Sequence, residues 1–503
     1  VKDLFPKKQV PLNSNRSPYK SKTTFELRII IILGILAMTL VAIWSANRHQ
    51  KAQTATNRQS SISLERPRFF SRNKPENLAL DQRLSLGERI LVKADNNPAK
   101  QSAVAKYASG MFYDAQRQFR DSLTVFPNDP EALIYLNNSY AAAEPNTVTI
   151  GVSVPIGGSL DVSQEILRGV AQAQNEINQE GGVNLNGKRS LVQIQVANDD
   201  NYPETAREIA TNFINNPQII GVIGHNSSDS SIAAAPIYEK AGLVMVSPTS
   251  VAREISHAGD YIFRTTPSSR ALASTLAEYA ANTIHRKKVA ICNDSASPAS
   301  TSFQEEFSLT LFELGGEIVA SNCDFASGGF NPDAAISEAI ANGAETLLVI
   351  PSVNNINQAL EVARANRNRL PILGNHSMYT YETLNVGQDD INGLVLPVAW
   401  HPAVTKGSDF NQGAIKLWGM EGSWRTAMAY DAAKAIFAGL DLAENRQQLR
   451  QVLSNPGFNS QGATGKVEFL PSGDRKMEAT LVKVQSGSAS GTGYDFVPIS
   501  SGN

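Results

Sequence analysis

"VIGHNSSDSSIAAAPIYEKAGLVMVSPTS", Val222 to Ser250, joins two short apolar runs by a helical stretch, and both runs end in small polar residues. Runs this short and rich in Val and Ile read as strands covered on both faces, and the intervening stretch reads as a crossover helix. A strand–helix–strand unit returns the chain in the same direction, so both polar ends fall on one edge of a parallel sheet. Ligands of such sheets lie there, beyond the carboxyl ends of the strands. Ser228 is placed to cap the helix starting near Ser230. Its hydroxyl and the unpaired N–H groups of that helix suit a carboxylate. Thr249 and Ser250 end the second run and offer hydroxyls and backbone groups to the same cleft. A capping serine and a turn-shaping proline would explain either end alone; two adjacent ends facing one cleft favour ligand binding.

The same alternation extends in both directions. It begins after Pro145 with "TVTIGVSVP" and runs through "SLVQIQVAND" and "QIIGVIGH". A second series follows "YIFRTTPSS", with "KKVAIC", "EIVASNC", "ETLLVIPS" and "LPILGN" as strands and longer amphipathic stretches between them. The expected fold class is α/β, with two doubly wound parallel sheets forming two lobes around a cleft.

Ahead of the lobes the composition changes twice. Residues 29–46, "IIIILGILAMTLVAIWSA", are uncharged and about long enough to cross a ~30 Å hydrocarbon core. Residues 1–28 carry a basic excess, which the positive-inside rule assigns to the cytoplasm. A transmembrane helix with the main domain in the periplasm is the expectation, and a cleaved signal peptide is the alternative. Residues 47–85 are polar and read as a linker. Residues 86–143 have helical periodicity, and Gly110, Phe112, Ala115, Phe119, Ser122 and Pro127 fall at the offsets of a tetratricopeptide repeat. A protein partner docked there is one reading of the unit; a structural collar is the other.

The 503-residue chain has a net charge of -2, which gives no reason to expect nucleic acid. Its two cysteines, Cys292 and Cys323, end strand-like stretches; buried free thiols are the expectation, and a bridge, which an oxidising compartment would permit, is the alternative. Six histidines and two cysteines form no metal-ligand cluster in the sequence. "HNSSDS" holds its polar residues too close together for a hydrolytic triad, and "QGATGKVEF" lacks the ends of a P-loop. No enzyme activity and no cofactor are expected.

From Val148 to about Pro498 the chain resembles the leucine/isoleucine/valine-binding proteins, the branched-chain amino acid type of periplasmic solute-binding protein. The resemblance rests on the opening stretch, on "GGVNLNGKRSLVQIQVANDDNYPETA" and on "RTAMAYDAAKAIFAGL". It implies a type I periplasmic binding protein fold over residues 147–498, with lobe 1 about 147–268 and 400–445 and lobe 2 about 269–399 and 446–498. It also implies that Ser228 binds a ligand carboxylate and that Thr249 supplies backbone oxygen to an ammonium. Val251 stands where the family has a threonine, so only its backbone can act. His376 falls at or beside the position of the family's acidic ammonium partner, and Ala299 near its covering tyrosine. His376 could accept a hydrogen bond when neutral or favour an anion when protonated. Asp199 and Asp229 are ascribed to helix N-termini and solvent exposure. The expected function is a membrane-anchored solute-binding protein that closes on an amino acid or similar polar solute for an ABC permease. A ligand sensor and a degenerate scaffold with a protein partner are the alternatives.

Overall fold

The structure, a computed structural model, describes residues 78–185 and 187–499. The first lobe contains β1 (Leu84–Ser85), β2 (Thr147–Val154), β3 (Val183–Leu185), β4 (Lys188–Asn198), β5 (Ile219–Ile223), β6 (Val244–Ser247) and β7 (Ile262–Arg264). They lie in the order β1-β4-β2-β5-β6-β7, with β3 beside β4. The pairs from β4 through β2, β5 and β6 to β7 are parallel. Seven of the eight residues of β2 are buried, as expected for a central strand covered by helices on both faces.

The second lobe uses β8 (Lys288–Asn293), β9 (Glu317–Val319), β10 (Thr346–Ile350), β11 (Ile372–Gly374) and β12 (Val395–Val398). A hairpin of β13 (Ser460–Gly462) and β14 (Gly465–Val467) precedes its last strands, β15 (Thr480–Ser486) and β16 (Tyr494–Pro498). The sheet runs β16-β15-β12-β11-β10-β8-β9, with β15 and β16 antiparallel at one edge. The chain passes between lobes after β7, after β12 and before β15.

The helix Trp424–Leu440 returns to lobe 1 and packs along the helix Leu160–Gln179. The following helix, Arg446–Leu453, stays there too: the Arg446 guanidinium donates to the carbonyls of Ile219, Ile214 and Asn216 at 2.8, 3.2 and 2.6 Å. The expected return to lobe 2 at residue 446 is therefore too early. A short helix whose first residue makes three anchoring hydrogen bonds stays with them, and lobe 2 resumes only at β15.

Three helices, Pro98–Ala108, Phe112–Val125 and Pro130–Ala142, precede the lobes. Asn97 and Asp129 cap the first and third by accepting from Lys100 N and Ala132 N, each followed by proline at the first helical position. The third helix covers β4, where Asn138 accepts from Ile194 N and donates to Ile194 O at 2.8 and 2.7 Å. Its amide thus substitutes for a neighbouring strand. Lys100 is buried between Asp129 and Glu131 at 2.7 and 2.8 Å. Burial opposes its charge, but the two carboxylates raise its pKa overall. The end of the expected linker belongs to lobe 1 as well: Leu84 and Ser85 pair with β4, and Arg83 meets Asp200 at 2.6 Å.

Two expectations are corrected. Cys292 and Cys323 form a disulfide. β8 and β9 are parallel neighbours, and the bridge Asn293–Asp324 one residue on brings the cysteines face to face with Cα atoms 4.5 Å apart. Single-pass membrane anchoring is not supported either, because no helix among the described residues is long and apolar enough to cross a membrane. The 29–46 stretch read as a span lies outside the described residues.

Candidate functional site

β5 ends at Ile223, and the turn after it delivers Asn226, Ser227 and Ser228 to the cleft. Ser227, not Ser228, is the cap: its Oγ accepts from Ser230 N at 3.2 Å. Ser228 opens the helix Ser228–Ala241, and its Oγ accepts from Ala252 N at 3.2 Å, which leaves the hydroxyl hydrogen to donate into the cleft. Thr249, beyond β6, also lines the cleft, and its hydroxyl donates to Asn226 O at 2.7 Å. That bond ties the two strand ends together.

Ser250 and Val251 do not reach the cleft. Ser250 Oγ lies 2.7 Å from Ser231 Oγ, and Val251 O accepts from Ser269 N at 2.8 Å. Arg264 holds the carbonyls of Ser250 and Ala252 from behind at 3.3 and 2.9 Å and pairs with Asp474 at 2.7 Å. These groups brace the wall. Asp199, read as solvent-exposed, is fully buried: it meets His225 Nδ1 at 2.6 Å and accepts from Ser153 Oγ at 2.8 Å. His225 Nε2 in turn lies 3.1 Å from the Tyr238 hydroxyl. The order acid, imidazole, hydroxyl resembles a relay, but all three side chains are sealed in the core. Asp229 lines the cleft at the first turn of its helix.

The opposite wall comes from lobe 2. Ser297 and Ala299 follow β8, Ser352, Val353 and Asn354 follow β10, and His376 and Ser377 follow β11. Loops beyond the carboxyl ends of parallel strands thus face each other across the cleft. His376 is 6% exposed, and its Nδ1 has no hydrogen-bond partner among the described residues. Burial first, and then the nearby Arg425 charge, lower its pKa to about 3. It is a neutral imidazole at physiological pH and cannot act as a switch between pH 5.5 and 7.5.

Trp424 and Arg425 complete the lining and were missed in the sequence. Ser423 caps their helix by accepting from Thr426 N, so both residues sit in its first turn. The motif "SWRT", a capping residue followed by an aromatic and a cation, was the available signal. Arg425 Nη1 donates to Glu165 Oε2 at 3.1 Å in lobe 1 and to Tyr379 O at 2.7 Å in lobe 2. Its guanidinium lies over the Trp424 ring, 4.6 Å from the centroid, and that ring meets His376 edge-on at 5.8 Å. The Trp424 indole N–H is buried without an acceptor among the described residues. The walls stand close, enclosing about 40 Å³. No group of acidic, histidine or cysteine side chains among the described residues could hold a metal ion.

Known proteins share this architecture. A Leu/Ile/Val-binding protein of Rhizobium johnstonii is 23% identical over 71% of this chain and 96% of its own length. An amino acid binding protein of Pseudomonas aeruginosa is 30% identical over 29% of this chain, a match that spans 39% of that protein. The crystal structure of a leucine binding protein from Thermotoga maritima superposes with a TM-score of 0.62 at 21% identity, covering 71% of this chain and 99% of the other. A branched-chain amino acid transporter substrate binding protein of Streptococcus pneumoniae, in complex with isoleucine, gives a TM-score of 0.60 at 20% identity over 70% of this chain and all of the other. Residues 147–490, well over half of the sequence, match the family model described as periplasmic binding protein, and with the two-lobed fold seen here the chain belongs to that family.

Proposed function

We propose that the chain is a solute-binding protein that closes its two lobes on an amino acid or similar small polar solute and presents the closed form to an ABC permease. The observation that carries this reading is the pair of facing walls. Ser228 and its helix N-terminus offer hydrogen-bond donors from lobe 1, while Ala299 and His376 face them from lobe 2. Contacts on both lobes make a ligand favour the closed state, so closure reports occupancy. Ser228, Thr249, His376 and Ala299 are the proposed ligand contacts. Ser250 and Val251 support them from behind. The helical unit of residues 86–143 is a collar on lobe 1 in this reading, because its third helix is committed to β4.

The test is a thermal-shift screen of the full chain against amino acids, their carboxylic and amide relatives, and polyols. A ligand-dependent rise of several degrees, abolished by Ser228→Ala, supports solute binding. No rise with any compound at millimolar concentration would move the reading to a scaffold.

A further inference from the structure

The part of the cleft around His376, Trp424 and Arg425 carries chemistry that an amino acid does not use. An ammonium needs acceptors and a negative field. The Trp424 indole can only donate, and the Arg425 guanidinium is a permanent cation in the same lining. His376 Nδ1 supplies at most one neutral acceptor. The only carboxylate among the described lining residues is Asp229, in the first turn of the lobe-1 helix that Ser228 opens. Two buried polar atoms, His376 Nδ1 and Trp424 Nε1, have no partner among the described residues, and an acceptor-bearing group would satisfy the indole. A buried donor left without an acceptor is destabilising, and a ligand acceptor relieves it.

Resting on the reading that this cleft binds a solute, we infer that its ligand is a small carboxylic acid bearing a hydrogen-bond acceptor, such as a 2-oxo group, where an amino acid bears its ammonium. The carboxylate meets Ser228 and the N-terminus of its helix. The oxo oxygen accepts from the Trp424 indole in the field of Arg425. Burial first, and then the charge of Arg425, itself paired with Glu165 at 3.1 Å, hold His376 neutral, and burial likewise disfavours an unpaired ammonium at this place.

The inference is tested by calorimetry on the full chain with matched pairs: 4-methyl-2-oxopentanoate against L-leucine, and pyruvate against L-alanine. Within each pair size and carboxylate are kept, and only the ammonium is replaced by an acceptor. In at least one pair the oxo acid should bind about tenfold tighter or more. Trp424→Phe should weaken the oxo acid by about tenfold more than it weakens the matched amino acid, with the circular dichroism spectrum unchanged. Amino acids binding as tightly as or tighter than their oxo acids would overturn the inference while leaving the solute-binding reading intact. Loss of that amino acid binding in Asp229→Asn would then assign the ammonium to Asp229. If neither the matched pairs nor the broader screen gives binding, both readings fall.

Discussion

On the lobe-1 wall, Thr249, Ser250 and Ser231 spend their hydroxyls on one another and on the backbone of His225 and Asn226, and Arg264 braces the segment from behind. Facing them, the lobe-2 wall has the His376 imidazole nitrogen, packed against the Trp424 indole on the helix that returns to lobe 1, and neither has a hydrogen-bond partner among the described residues. One wall is preorganised by its own hydrogen bonds, whereas the other leaves two buried polar atoms without a partner among the described residues. Preorganised donors cost little to use, while unsatisfied buried ones destabilise the unliganded protein.

The largest expected effect is on the braced wall. Arg264→Met removes the cation from Asp474 and the carbonyls of Ser250 and Ala252, so urea denaturation should show a loss of about 3–5 kcal/mol. A loss below 1 kcal/mol would mean that the wall does not depend on its brace. In lobe 2 the comparable constraint is covalent. The disulfide closes a separation of 31 residues, and replacing both cysteines with alanine should cost about 3–4 kcal/mol.

Next comes a pH effect confined to the lobe-2 wall. His376 has a folded pKa of about 3, below the ordinary 6.5, so the unfolded chain takes up its proton first as pH falls. Stability is therefore full above pH 6.5 and is progressively lost toward pH 3; the loss at pH 5 amounts to about 2 kcal/mol. Melting curves of the parent and His376→Phe, compared at pH 7.5 and 5, should show a steeper acid loss in the parent. Equal slopes would contradict a buried neutral imidazole. The smallest effect separates support from contact. Ser250→Ala should cost about 1 kcal/mol of stability by losing its bond to Ser231, while Ser228→Ala should change ligand affinity more than stability. A reversal of those two outcomes would exchange the roles of the adjacent strand ends.

Much of the fold was legible because it repeats a local pattern. Apolar runs such as "VTIGVSV" and "TLLVI" can only be strands covered on both faces, and their alternation with helices dictates parallel sheets. The site was legible where it lies within one such unit, as Ser228 and Thr249 do. One-residue details were not: Ser227 and Ser228 are equivalent in composition, and only backbone geometry selects the cap. The burial of His376 was not legible because the helix whose Trp424 packs against it begins nearly fifty positions later. Cys292 and Cys323 looked like strand ends with unsuitable geometry, yet the register between neighbouring strands sets them opposite each other.

By itself the sequence determined the order of strands and helices, the two-lobed class and the small polar groups at the lobe-1 strand ends, since each follows from periodicity and residue type over short windows. The tertiary structure alone decided which polar groups face the cleft and which hold it up. It paired Arg264 with Asp474, buried Asp199, sealed the third collar helix onto β4 and set Trp424 and Arg425 against His376. Burial, charge compensation and hydrogen-bond satisfaction depend on groups distant in the chain, and no local pattern encodes them.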